Sequence, residues 1–125
     1  MSVLNGSTQL ALRWNYTLQT GSDLRTTYFR IIKGVSDVIG AILHDSGGDK
    51  YLIRDTNDYQ TRFNISRSEV ATLIINEVTE HEEAVYQCML ETKTGDIWRY
   101  NIRVIVTGKN CNVQIVDDKR SQSIT

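Results

Sequence analysis

The feature that most constrains this chain is its cadence. Short runs rich in Val, Ile, Thr, Tyr and Phe recur along its length, each broken by Gly, Asp, Asn or Ser. β-Branched and aromatic side chains fit a pleated, half-buried surface, and the small polar residues supply turns. Residues 8–18 alternate, with Leu10, Leu12, Trp14 and Tyr16 on one face and Ala11, Arg13 and Asn15 on the other. Residues 20–23 read as a turn, 26–33 as a strand, 34–37 as a second turn and 38–44 as the next strand. A loop at 45–49 precedes a short strand at 51–53. Further strands are expected at 60–65, 70–75, 84–91 and 97–106, the last two joined as a hairpin across 92–96. The stretch 66–83 is rich in Glu, Ala and Leu, but Val70, Thr72, Ile74, Ile75, Val78 and Thr79 weigh against a helix. About eight or nine short strands at this spacing predict an all-β sandwich or barrel.

A length of 125 residues suits one domain with a proper core. The net charge of −1 gives no general attraction to nucleic acid or to an anionic membrane. No apolar run approaches the roughly 20 residues that span a bilayer, and the opening MSVLNGSTQL lacks the charged and apolar regions of a signal peptide. The expectation is an extracellular piece of a cell-surface protein whose leader and anchor lie outside this stretch. Three N-x-S/T triplets support that compartment, at Asn5, Asn15 and Asn64, each able to accept a glycan. Residues 108–125 are polar and read as a linker or the start of a following domain, leaving 1–107 as the folded unit.

Catalysis finds little footing. There is no G-x-S-x-G, H-E-x-x-H or paired C-x-x-C, and His44 and His81 read as solvated loop residues. No enzyme activity, cofactor or metal is expected. Asp55-Thr56-Asn57-Asp58 carries oxygen ligands that suit Ca²⁺, but turn chemistry accounts for it better.

The most specific signal runs from Arg62 to Cys88. Leu73-x-Ile75-x-x-Val78 is followed by Glu82-x-Ala84-x-Tyr86-x-Cys88. This resembles the D, E and F strands of immunoglobulin V-set domains, over roughly residues 8–107. The resemblance implies a Greek-key sandwich, with strands A, B, E and D in one sheet and C, C′, F and G in the other. It implies a tyrosine corner at Tyr86, its hydroxyl tied back to the backbone of the E–F turn. It also implies a bidentate ion pair between Arg62 and Glu82. Leu10, Leu12, Trp14, Leu73, Ile75, Val78, Ala84, Tyr86 and Cys88 should point inward.

The departures from the family pattern are as informative. Trp14 stands where the strand-B cysteine belongs, and Tyr28, Phe29 or Ile31 takes the place of the strand-C tryptophan. A buried indole can fill the space of the missing bridge. Cys88 and Cys111 are either bridged, if the chain reverses at 108–110, or Cys88 is free and buried while Cys111 pairs elsewhere. A V-like domain with these departures is similar to the membrane-distal domain of colonial hydroid allorecognition receptors, which implies recognition of the same domain on a facing cell. The binding face that follows is the CFG sheet, through Gln87, Met89, Glu91, Arg99, Asn101 and Arg103, with Trp98, Tyr100, Ile102 and Val104 turned inward and the glycans on the other sheet. The expected contact sets Arg99 and Arg103 against Glu91 of the partner. The alternative is a heterophilic ligand of an immune-type receptor; a spacer domain would present no binding face.

Overall fold

The computed structural model describes residues 9–16, 23–69, 71–107 and 112–124, the last of these by its backbone path. Nine strands lie within these residues: β1 (Leu10–Arg13), β2 (Leu24–Lys33), β3 (Val35–Leu43), β4 (Lys50–Ile53), β5 (Phe63–Ile65), β6 (Thr72–Ile75), β7 (Ala84–Thr92), β8 (Ile97–Thr107) and β9 (Asn112–Ile124). They form a small sheet in the order β1-β6-β5 and a larger one in the order β4-β3-β2-β7-β8-β9, with every pairing antiparallel. No described helix is long and apolar enough to cross a membrane.

The period-2 pattern decides what lies between the sheets. Leu12, Phe29, Phe63, Leu73, Ile75, Tyr86 and Cys88 are almost wholly shielded from water. All nine residues expected to point inward, from Leu10 to Cys88, belong to this core. Trp98, Tyr100 and Tyr16 pack against it while half-buried, and Ile102 and Val104 are within it. Each large apolar side chain so buried contributes about 1.5–3 kcal/mol, which offsets the entropy of ordering the strands.

Several expectations need correction. The strands expected as B, E and D are β1, β6 and β5, but β4 and β9 widen the larger sheet beyond C, C′, F and G. The place of strand A, residues 1–8, lies outside the described residues. The turn expected over 34–37 narrows to Gly34, whose φ of 81° lets Lys33 pair with Val35. The strand expected to begin at residue 60 instead opens as a helical turn, α1 (Tyr59–Arg62), entered through left-handed backbone at Asn57 and Asp58. Asp55–Asp58 is thus the turn that feeds α1. Gly40 sits where β3 and β4 approach at the irregularity in β3, and a Cβ there would collide with the Leu52 carbonyl oxygen.

Residues 112–124, within the stretch expected as a linker or the start of a following domain, run as β9 along the edge of β8. A long, otherwise open strand edge is a template for another strand, and the following segment takes it. The pairing is continuous from Thr107↔Asn112 to Asn101↔Asp118, then resumes past a bulge from Arg99↔Gln122 to Ile97↔Ile124.

Candidate binding face

The lower end of the sandwich is built around Glu82. Thr79 caps a 3₁₀ turn over Glu80–Glu82. One Glu82 carboxylate oxygen accepts both the Thr79 N–H at 2.8 Å and the Thr79 hydroxyl at 2.6 Å. The other accepts the Arg62 Nε–H at 3.3 Å. The pair therefore rests on one hydrogen bond, not the expected two, because half of the carboxylate is committed to the cap. Arg62 instead donates through Nη1 to the Asn57 carbonyl and lies 5.0 Å from the Phe63 ring centroid. The Tyr86 hydroxyl donates to the Glu82 carbonyl at 2.6 Å, which is the tyrosine-corner bond. Burial pushes the Tyr86 hydroxyl pKa far above its ordinary value, with the Glu82 charge adding to the effect.

A cleft of about 810 Å³ opens beside this corner, lined in part by Asp37, Tyr59, Arg62 and Glu82. Asp37 accepts from the Tyr59 hydroxyl at 2.6 Å and from Arg54 at 2.9 Å. These bonds, the Tyr59 one foremost, hold its carboxyl below the usual carboxylate range. The groups lining the cleft are thus largely bonded to one another.

Trp14 lies in the core, 5.6 Å from the Phe29 ring centroid, and its indole N–H donates to the Tyr100 carbonyl at 3.0 Å. Cys88 has no disulfide partner among the described residues; its thiol is fully buried, and burial drives its pKa far up. A buried neutral thiol behaves as a small hydrophobe. Cys111 lies outside the described residues. His44, expected in solvent, is half-buried: one ring nitrogen shares a hydrogen bond with the Thr27 hydroxyl at 2.8 Å, and the other lies 3.4 Å from an Asp49 oxygen. His81 is exposed.

The outer face of the large sheet presents its side chains in cross-strand rungs. The register aligns Leu52, Ala41, Tyr28, Met89 and Arg99. On one side lies a polar rung of Arg30, Gln87 and Asn101, in which the Gln87 amide donates to Asn101 at 3.0 Å. On the other side lie Thr26, Glu91 and Ile97, extended by Leu43 and Lys50. Beyond the polar rung, Ile32, Val85 and Ile105 line a shallow groove of about 390 Å³ with Arg103. The six residues expected on this face do share it, but Met89 is only 8% exposed, so it is not the solvent-facing contact anticipated. It stands in the middle of the sheet, between Tyr28 and Arg99 in register.

Arg30, Ala41 and Leu52 complete the face and were not singled out from sequence. Tyr28, one of three residues offered for the core place of the strand-C tryptophan, lies on this face instead, while Phe29 and Ile31 are in the core. Leu52 is 52% exposed, and Leu43 on the neighbouring rung is exposed as well. The alternation in TTYFRIIK already sets Tyr28 and Arg30 opposite the inward Phe29 and Ile31. Asn64 is exposed on β5 of the small sheet, and Asn15 is exposed just past β1. Asn5 lies outside the described residues.

No protein-family model matches the chain, and no curated protein matches it. Among solved structures it is similar to murine CRIg, an immunoglobulin-superfamily V-like domain, with a TM-score of 0.51 at 17% identity over 94% of this chain and 82% of that one. At that identity the likeness speaks to architecture. Together with the two antiparallel sheets and the tyrosine corner, it gives this chain the immunoglobulin-like β-sandwich fold.

Proposed function

We propose that this domain is the extracellular recognition module of a cell-surface receptor. It mediates adhesion or self/non-self recognition between cells by binding a second copy through the outer face of the large sheet. The observation that carries this reading is the apolar rung Leu52, Ala41, Tyr28 and Met89 on a face that also holds charges of both signs. Apolar area ringed by polar groups is the common anatomy of a protein interface. Both sequon asparagines among the described residues lie on or beside a strand of the small sheet, so glycans there would leave this face bare. The fold offers a rigid support and no catalytic grouping is invoked. The test is sedimentation of the purified chain over a concentration series, alongside aggregation of beads coated with it. Concentration-dependent association and clumping are expected; a strictly monomeric chain on beads that stay dispersed would reject the reading.

A second reading has its own observation. Lys50, Arg30, Arg99 and Arg103 outnumber Glu91 among the described charges of the face. That excess suits a heterophilic ligand with an acidic surface. The same bead assay separates the two, since a heterophilic face leaves coated beads apart.

A further inference from the structure

Arg30 and Glu91 occupy mirrored places on the outer face. Tyr28 pairs with Met89 across β2 and β7. Arg30 lies two residues along β2 to one side of that rung, level with Gln87, and Glu91 lies two residues along β7 to the other side, level with Thr26. At about 3.3 Å rise per residue, each charge stands roughly 7 Å from the rung.

Neither charge meets a counter-charge among the described residues. The Arg30 Nε is buried and meets no hydrogen-bond acceptor there. The ion pairs of the described residues are Arg13–Glu69, His44–Asp49, Arg54–Asp37 and Arg62–Glu82, and they include neither Arg30 nor Glu91. Arg30 as a whole is only half-buried, so its guanidinium can meet an incoming carboxylate, and a charge-assisted hydrogen bond of that kind is among the stronger ones.

We propose that Arg30 of one copy pairs with Glu91 of the facing copy, twice, about a two-fold axis running along the Tyr28–Met89 rung. The proposal rests on the homophilic reading. A two-fold axis lying between two facing sheets carries whatever is above the rung in one copy to a place below it in the other. Arg30 then comes over the Thr26–Glu91 level of its partner. Glu91 is one strand away, about 4.8 Å to the side, within reach of an arginine side chain. The contact is isologous: both pairs form together, and the central Tyr28 and Met89 meet their own copies, as does Arg99 further along the rung, whose two like charges must turn away from each other into solvent. Charges flanking an apolar centre fix the register of docking as well as adding affinity.

Charge reversal tests this with beads carrying the chain. Arg30→Glu alone and Glu91→Arg alone should each lower self-association about tenfold or more, because like charges then face each other. Beads carrying the first variant should nevertheless clump with beads carrying the second, since every facing pair is again of opposite sign. Circular dichroism and thermal melting check that both variants fold, and the neutral pair Arg30→Gln and Glu91→Gln provides a milder series with partial losses. A folded single reversal that self-associates like the parent, or two folded reversals that fail to bind each other, would overturn the pairing while leaving homophilic binding intact. A parent chain that never self-associates would instead overturn the homophilic reading itself.

Discussion

The Trp14 indole N–H donates to the Tyr100 carbonyl at 3.0 Å, and this bond ties the end of β1 in the small sheet to β8 in the large one. The bond joins the sheets near Cys88, which has no disulfide partner among the described residues. The inter-sheet tie that a disulfide supplies in related sandwiches is made here by a ring and a hydrogen bond. Trp14→Ala should cost about 3–5 kcal/mol in urea unfolding, the usual range for deleting a buried tryptophan. Trp14→Phe keeps much of the apolar area and loses the donor, so its cost should be smaller, on the order of 1–2 kcal/mol. Equal losses for the two variants would show that the hydrogen bond, and not the packing, dominates.

Glu82 should matter more than Arg62. The Glu82 side chain is 5% exposed and serves the Thr79 N–H, the Thr79 hydroxyl and Arg62, whereas the Arg62 side chain is 29% exposed. Glu82→Ala strips the cap and a buried acceptor together and should cost on the order of 3 kcal/mol. Arg62→Ala leaves the carboxylate with both Thr79 donors and should cost about 1–2 kcal/mol. Chemical denaturation of the two variants gives the comparison, and a reversed order would make the ion pair, not the cap, the main support.

The Arg62–Glu82–Tyr86 corner was legible through the resemblance to V-set domains, whose motif these residues match. The period-2 register of that motif predicted the inward set, from Leu10 to Cys88. What escaped has tertiary causes. Tyr59 enters a helical turn because Asn57 and Asp58 take left-handed backbone and the Tyr59 hydroxyl is drawn to Asp37, twenty-two residues earlier in the chain. β9 is polar over most of its length, and what makes it a strand is the unpaired edge of β8. Arg30 sat in plain view within TTYFRIIK, but a strand arginine reads as solvated until its surroundings show an Nε without an acceptor.

Tyr59 and Asp37 give the fold an acid-sensitive element. Asp37 is held below the ordinary carboxylate range, chiefly by the Tyr59 hydroxyl and then by Arg54. A carboxylate with a depressed folded-state pKa adds stability that is present above its unfolded value, about 3.9, and is lost as pH falls through the folded value. Tyr59→Phe removes the main cause. The melting temperature of this variant should fall furthest below the parent near neutral pH, and the two should converge as the pH drops below about 4. A gap that stays constant across that range would assign the loss to packing alone.

One substitution converts the proposed face into a glycan site. Asn101 lies on the outer face of β8, in the polar rung with Gln87, and is followed by Ile102 and the exposed Arg103. Arg103→Thr therefore completes an N-x-T triplet that begins at Asn101, which a secretory cell can glycosylate. The fold should tolerate the change, because Ile102, the buried member of the triplet, is untouched. A glycan on β8 would stand one strand from Met89 and block a second sheet from approaching, whatever the detailed register of docking. Beads carrying the glycosylated variant should fail to clump. Arg103→Ala, which removes the same charge without making a sequon, should retain most of the association, since rim charges usually contribute under about 1 kcal/mol. Enzymatic removal of the glycan should bring the variant back to the behaviour of Arg103→Ala. If the fully glycosylated variant clumps as well as the parent, copies of this domain do not meet through the outer face of the large sheet.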